Sequence, residues 1–153
     1  MVGQTISHYK ITEKLGEGGM GVVYKAEDVK LRRPVALKFL KAHLLGDEEI
    51  KARFWREAEA AASLNHPNIC TVYEIDEVQG KTLIAMAFIE GEGLDKKIDA
   101  APLKINQALD IAIQIAQGLR AAHGKQITHR DIKPANVMVG SDGHATIMDF
   151  GLA

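Results

Sequence analysis

Two short stretches in the second half of the chain hold the residue types from which group-transfer chemistry is built. They are His129-Arg130-Asp131-Ile132-Lys133-Pro134-Ala135-Asn136 and, thirteen residues beyond that asparagine, Asp149-Phe150-Gly151. A carboxylate can accept the proton of an attacking hydroxyl, and an ammonium can neutralise charge on a migrating anionic group. Carboxylate and amide oxygens are the ligands a hard divalent cation prefers. Two acid–base candidates, His129 and Asp131, stand almost side by side. Charge type, order and spacing together fit phosphoryl transfer, and an ordinary polar loop has no reason to carry them all.

A second set lies near the N-terminus. In Gly16-x-Gly18-Gly19-x-Gly21-x-Val23 the missing side chains would let backbone N–H groups come close to a polyphosphate. Alone, the pattern is also that of a plain hairpin turn. A dinucleotide fingerprint should open a helix, whereas Val22 to Ala26 continues as a strand. Further on, Val35-Ala36-Leu37-Lys38 puts a lysine in a strand, and Glu57 or Glu59 offers a partner carboxylate from the next helix. Those two glutamates point about 200° apart around a helix, so only one can face the lysine. Taken singly, a solvated strand lysine and a solvated helix face explain them equally well.

The elements that must position these groups follow from periodicity. Tyr9 to Leu15, Val22 to Val29 and Pro34 to Leu40 alternate as strands and imply a small antiparallel sheet. Ile50, Phe54, Ala58 and Ala61 recur at helical spacing behind the acidic Asp47-Glu48-Glu49, and Asn65-His66-Pro67 closes that helix. Thr71 to Val78 and Thr82 to Phe88 form a hairpin about Gln79-Gly80-Lys81, and Glu90-Gly91-Glu92-Gly93 reads as a flexible connector at a lobe boundary. A long helix is marked by Ile105, Ala108, Leu109, Ala112, Ile115, Ala116, Leu119 and Ala122, with Ile111 and Ile113 widening its apolar surface. Two short strands, Asn136 to Val139 and Ala145 to Met148, meet at Ser141-Asp142-Gly143 and carry the chemical segments at their ends.

Composition narrows the function classes. With 19 Lys and Arg against 20 Asp and Glu, the chain has no net basic field to draw it to nucleic acid or an anionic membrane. The longest strongly apolar run, Leu83 to Ile89, is too short to span a bilayer, and no signal design opens the chain. The one cysteine, Cys70, sits between Ile69 and Val72 in an apolar setting that suits an inert buried thiol. Together these features suit a cytoplasmic protein. The six histidines show no zinc-ligand spacing.

With all these motifs in one order, the chain resembles the protein kinases, and the Lys133-Pro134-Ala135 wording resembles the bacterial serine/threonine branch. The resemblance implies an α+β fold: a small lobe over 9–90, antiparallel β with one long helix, and a connector with an incomplete, mainly helical large lobe over 91–153. It implies ATP and Mg²⁺ as cofactors and a protein Ser/Thr hydroxyl as substrate. Asp131 would take the hydroxyl proton, Lys133 would neutralise charge on the transferred phosphoryl, and Asn136 and Asp149 would ligate Mg²⁺. The resemblance selects Glu57 over Glu59 as the partner of Lys38 and gives His129 a structural role in the core. Adenine would lie among Leu15, Val23, Ala36 and Met138, bonded to connector backbone near Ala87 and Ile89, with Met86 at the rear and Gly16, Gly18, Gly19 and Gly21 over the phosphates. Position 87 is often glutamate in relatives and is alanine here.

The sequence ends two residues after Gly151, before the activation segment that Arg130 would serve in relatives. The expectation is therefore poor turnover by this chain alone, with uncovered apolar surface that favours self-association or a completing chain. The competing readings are a non-catalytic nucleotide- or partner-binding module and an incompletely folded kinase fragment.

Overall fold

The computed structural model describes residues 1–19 and 21–150, which fall into two compact units. The first comprises 1–59 and 72–88, the second 60–71 and 89 onward.

The first unit is built on six antiparallel strands: β1 (Thr5–Ile6), β2 (Tyr9–Glu17), β3 (Gly21–Asp28), β4 (Arg33–Leu40), β5 (Val72–Val78) and β6 (Lys81–Ala87). Their order in the sheet is β1-β2-β3-β4-β6-β5. The sheet curls until β2, second from one edge, reaches β5 at the other, where the Tyr9 hydroxyl donates to Glu74 Oε2 at 2.6 Å. Ile6, Tyr9, Ile11, Ala26, Val35, Leu37, Phe39, Leu83 and Ala85 form the core inside this curl. β4 is buried on both faces, with Ala36, Lys38 and Leu40 enclosed opposite Val35, Leu37 and Phe39. β5 and β6 turn on Gln79 and Gly80 alone, both at positive φ (53° and 69°), the twist a two-residue hairpin requires.

Helix α1 (Glu48–Ala62) starts where Asp47 accepts the amides of Glu49 and Ile50 at 3.0 and 3.1 Å, an N-cap reinforced by acidic Glu48 and Glu49. Its buried stripe is Phe54, Glu57, Ala58 and Ala61, so a glutamate shares the apolar face. Lys51 reaches Glu77 on β5 at 2.6 Å and ties the helix to the sheet.

The second unit holds β7 (Glu92–Gly93), α2 (Leu94–Ala100), α3 (Ile105–His123), β8 (Val137–Val139) and β9 (Ala145–Ile147), with the sheet ordered β7-β8-β9. Leu94, Ile111, Val137, Val139 and Ala145 form its core. The segment 60–71 belongs here because Asn68 and Cys70 bond the backbone of Ile147, at 2.8 and 2.9 Å. The buried Asn68 amide also donates to Gln114 Oε1 and to the Ala145 carbonyl, at 3.0 and 2.8 Å. Gly118, otherwise a poor helix residue, is explained by contact: a Cβ there would stand 2.9 Å from Ile147 Cδ1 and 3.2 Å from the Asn68 carbonyl.

Two expectations change. The Glu90–Gly93 connector contains β7 and leads into α2, neither of which the sequence reading anticipated. A two-residue strand has no periodicity of its own and is created by its partner β8, and Gly91 at φ 156° comes so near that a Cβ would overlap the Val139 carbonyl. On α3 the covered stripe is Ile111, Gly118 and Ala122, with Ile115 packed beside it. Ile105, Leu109 and Ile113 are 81, 58 and 54% exposed. The helix has enough apolar residues for several faces, and the described residues cover only one.

Thr82 is fully buried on β6, and its hydroxyl has no hydrogen-bond partner among the described residues. Such a group carries its desolvation penalty uncompensated, so Thr82→Val is expected to stabilise the protein by about 1 kcal/mol in denaturant titration. A loss of stability of that size would show that the hydroxyl is bonded.

Candidate functional site

Each unit gathers its own share of the residues singled out in the sequence. In the first, strand register decides which side chains share a face. Val23 lies opposite Lys38 on β4, and Ala36 opposite Met86 on β6. Directly paired residues point the same way, as do alternate residues of one strand, so Val23, Ala36, Lys38 and Met86 project from one face. Ala36 and Met86 are buried, Val23 is half-buried, and Lys38 is 8% exposed. Leu15 falls at an irregularity of β2 and is 42% exposed, and Ala87 ends β6 half-buried.

Glu57 and Glu59 have opposite environments: Glu57 is 7% exposed, while Glu59 faces solvent. Arg53, one turn earlier, brings Nε to 3.5 Å from Glu57 Oε1, a neighbour that sequence reasoning missed although the i,i+4 spacing signals it.

The glycine-rich turn closes with the Gly18 amide donating to the Gly21 carbonyl at 2.9 Å. Its glycines are not equivalent. A Cβ on Gly21 would lie 2.7 Å from the Phe39 carbonyl and 3.4 Å from Lys38 Cγ, so this glycine lets β3 press against the lysine stem. A Cβ on Gly16, Gly18 or Gly19 would meet nothing within 4 Å, which leaves their backbone open to an incoming anion.

In the second unit the loop before β8 is tied into a knot by hydrogen bonds. Asn136 ends a 3-10 turn (Pro134–Asn136), and its Nδ2 donates to both the Asp131 carbonyl and Asp131 Oδ2, at 2.8 and 3.1 Å. Lys133 Nζ stands 2.7 Å from the same Oδ2. These contacts hold the Asp131 carboxyl below the usual carboxylate range, with Lys133 the largest cause and Asn136 adding to it against partial desolvation. Asp131 is thus held in its ionised form. Because Nδ2 is committed to Asp131, Oδ1 is the Asn136 atom left to meet a cation.

His129 is 1% exposed, and its ring stacks edge-on against Phe150 with centroids 4.7 Å apart. Nδ1 accepts the Asp131 amide at 3.2 Å, so the ring proton must sit on Nε2, which donates to the Met148 carbonyl at 2.8 Å. With both nitrogens used, His129 is an internal brace, and Asp131 is left as the base candidate. Arg130 and Asp149 adopt φ 70° and 53°, left-handed conformations that are costly for side-chain-bearing residues and cluster at functional positions. Asp149 is half-buried directly after Met148, whose amide bonds the Asn136 carbonyl at 2.8 Å. Carboxylate and amide oxygen are a donor set suited to a magnesium ion that retains several waters. Met138 on β8 and Ile89 are half-buried in this unit, and Gly151 lies outside the described residues.

The family profile described as protein kinase domain matches residues 9–153. The chain is 43% identical over 155 residues to the serine/threonine-protein kinase PrkC of Bacillus subtilis, covering all of this chain and 24% of that protein. It is 40% identical to PknJ of Mycobacterium tuberculosis, covering 99% of this chain and 26% of that one. The chain therefore spans about a quarter of the length of the curated relatives it matches. Among solved structures, the Mycobacterium tuberculosis PknI kinase domain superposes with a TM-score of 0.85 at 35% identity, covering 100% of this chain and 62% of that one.

Since Lys133 contributes most to the low pKa of Asp131, Lys133→Met should raise it toward the ordinary carboxylate value. The wild-type carboxylate, depressed by its partners, would protonate only at a lower pH than the variant's. Carbon-detected NMR titration of the Asp131 carboxyl checks this, and identical midpoints would show that the 2.7 Å contact does not persist in solution.

Proposed function

Because the chain belongs to the protein kinase domain family, we propose that it is the nucleotide-binding and catalytic part of a serine/threonine protein kinase, passing the γ-phosphoryl of ATP to a protein hydroxyl. The observation that carries this reading is the Asp131–Lys133–Asn136 knot, where one carboxylate is kept ionised by an ammonium and a side-chain amide. Asp131 orients the substrate hydroxyl and accepts its proton as attack proceeds, because only then does the hydroxyl become acidic enough to give it up. Lys133, still cationic, neutralises the equatorial oxygens of the transferring group.

In the first unit the open glycine backbone and Lys38 hold the phosphates, with Glu57 orienting the lysine. Leu15, Val23, Ala36 and Met86 of this unit flank the base, and the backbone of Ala87 bonds it, while Met138 and Ile89 belong to the second unit. Asn136 Oδ1 and the Asp149 carboxylate would hold Mg²⁺, which when bound would supply charge neutralisation on the phosphates. The protein acts in the cytoplasm. No helix among the described residues is long and apolar enough to cross a membrane.

Mg-ATP at a hundredfold excess over its Kd should add roughly 2.7 kcal/mol of stability, read as a raised thermal midpoint, and Lys38→Met should abolish most of that gain. A chimera continuing from Ala153 into the corresponding remainder of the Bacillus subtilis relative should phosphorylate serine or threonine peptides, with Asp131→Asn slowing it at least ~100-fold. Binding without transfer in the chimera would instead identify a nucleotide-binding module.

The exposed Ile105, Leu109 and Ile113 on α3 support a further expectation, that the chain self-associates through that helix. Sedimentation should show oligomers that Ile113→Glu dissolves; a monomeric wild type rules the contact out.

A further inference from the structure

The glycine-rich turn poses a mechanical problem. Of the described residues 16–19, three are glycines with nothing within 4 Å of where a Cβ would be, so Glu17 carries the only side chain by which the unit can grip that stretch. It is gripped twice. Lys14 Nζ lies 2.9 Å from Glu17 Oε2, and Lys41 Nζ lies 3.0 Å from Glu17 Oε1.

The two contacts differ in reach. Lys14 is on the same strand, three residues back, and so holds Glu17 only to β2. Lys41 immediately follows β4, and Glu17 pairs with Val22 on β3, which in turn pairs with Phe39 on β4. The Glu17–Lys41 contact therefore crosses β3 and fastens the turn to the strand that carries Lys38. We propose that Glu17 is a positioning residue for the nucleotide, and that its pair with Lys41 is a salt-sensitive latch holding the glycine-rich turn against β4. The nucleotide role rests on the function proposed above, whereas the latch itself does not.

Two physical effects act together. The pair restricts a backbone that glycines leave unusually free, so less ordering remains when a polyphosphate arrives. The two ammonium groups also neutralise a carboxylate that would otherwise oppose an anionic ligand, and they draw the Glu17 carboxyl down to about 2, Lys14 contributing more than Lys41. Glu17 and Lys41 side chains are 46 and 22% exposed, so the latch is partly screened and its effect modest.

The test uses Lys41→Met, Glu17→Gln and the double variant, with two readouts at low salt and at 0.5 M NaCl. The first is hydrogen exchange of the Gly18 amide without nucleotide. Each single variant should speed exchange about 2- to 5-fold at low salt, the double variant should be no faster than the singles, and high salt should erase the difference. The second is the dissociation constant of Mg-ATP, which Lys41→Met should raise by a similar factor while the double variant recovers part of the loss. Thermal midpoints that stay together exclude a general loss of structure.

Unchanged exchange in Lys41→Met overturns the latch, whatever the affinity does. Faster exchange with unchanged Mg-ATP affinity overturns the positioning role. A wild-type chain that binds no Mg-ATP overturns both the proposed function and that role, with the exchange data still deciding the latch.

Discussion

The second unit depends on one neutral imidazole. His129 accepts the Asp131 amide with one nitrogen and donates to the Met148 carbonyl with the other, so a single ring fixes the loop before β8 to the chain leaving β9. Its burial beside Phe150 makes both bonds hard to exchange for water. The left-handed backbone at Arg130 flanks one bond and that at Asp149 flanks the other. Strained residues persist only where their surroundings over-determine them, and the ring with its two bonds supplies that determination. The Asp131–Asn136–Lys133 knot then adds geometry to a loop already anchored.

The first unit solves a different problem, that of placing a cation inside a sheet. Lys38 is enclosed because β4 is central, with β3 on one side and β6 on the other, and because glycine at 21 lets β3 approach without displacing the lysine stem. Glu57 is enclosed for a matching reason: α1 turns one apolar stripe inward, and that stripe includes its carboxylate. Two opposite charges removed from water within one small unit are each a liability without compensation, which limits the substitutions either position tolerates.

Much of this was legible in the sequence because it is local. Alternation gave the strands around the glycine-rich turn, and the acidic cluster ahead of Ile50 marked a helix start that Asp47 does cap. The grouping of Asp131, Lys133 and Asn136 was legible from their spacing on one loop, and their side chains do meet there. What stayed hidden depends on distant partners. β7 exists only through β8, the covered face of α3 is chosen by β8 and β9, and a glycine in mid-helix at 118 makes sense only once Ile147 is seen against it. The Asp131–Asn136 bond makes the same point, for no spacing says which end of an amide faces the carboxylate.

The chain passes between its two units at 59/60, 71/72 and 88/89, so neither unit is a continuous stretch of polypeptide. Twelve residues encoded amid the first unit are structurally property of the second, where Asn68 and Cys70 meet the backbone of Ile147. Recombination that exchanged everything before the Glu90–Gly93 connector would thus transplant a foreign Asn68 against a resident Gly118 and Gln114. Inheritance of such a chain is constrained by its threading: the two units can diverge in surface and chemistry, but positions 68, 114, 118 and 147 must travel as one allele.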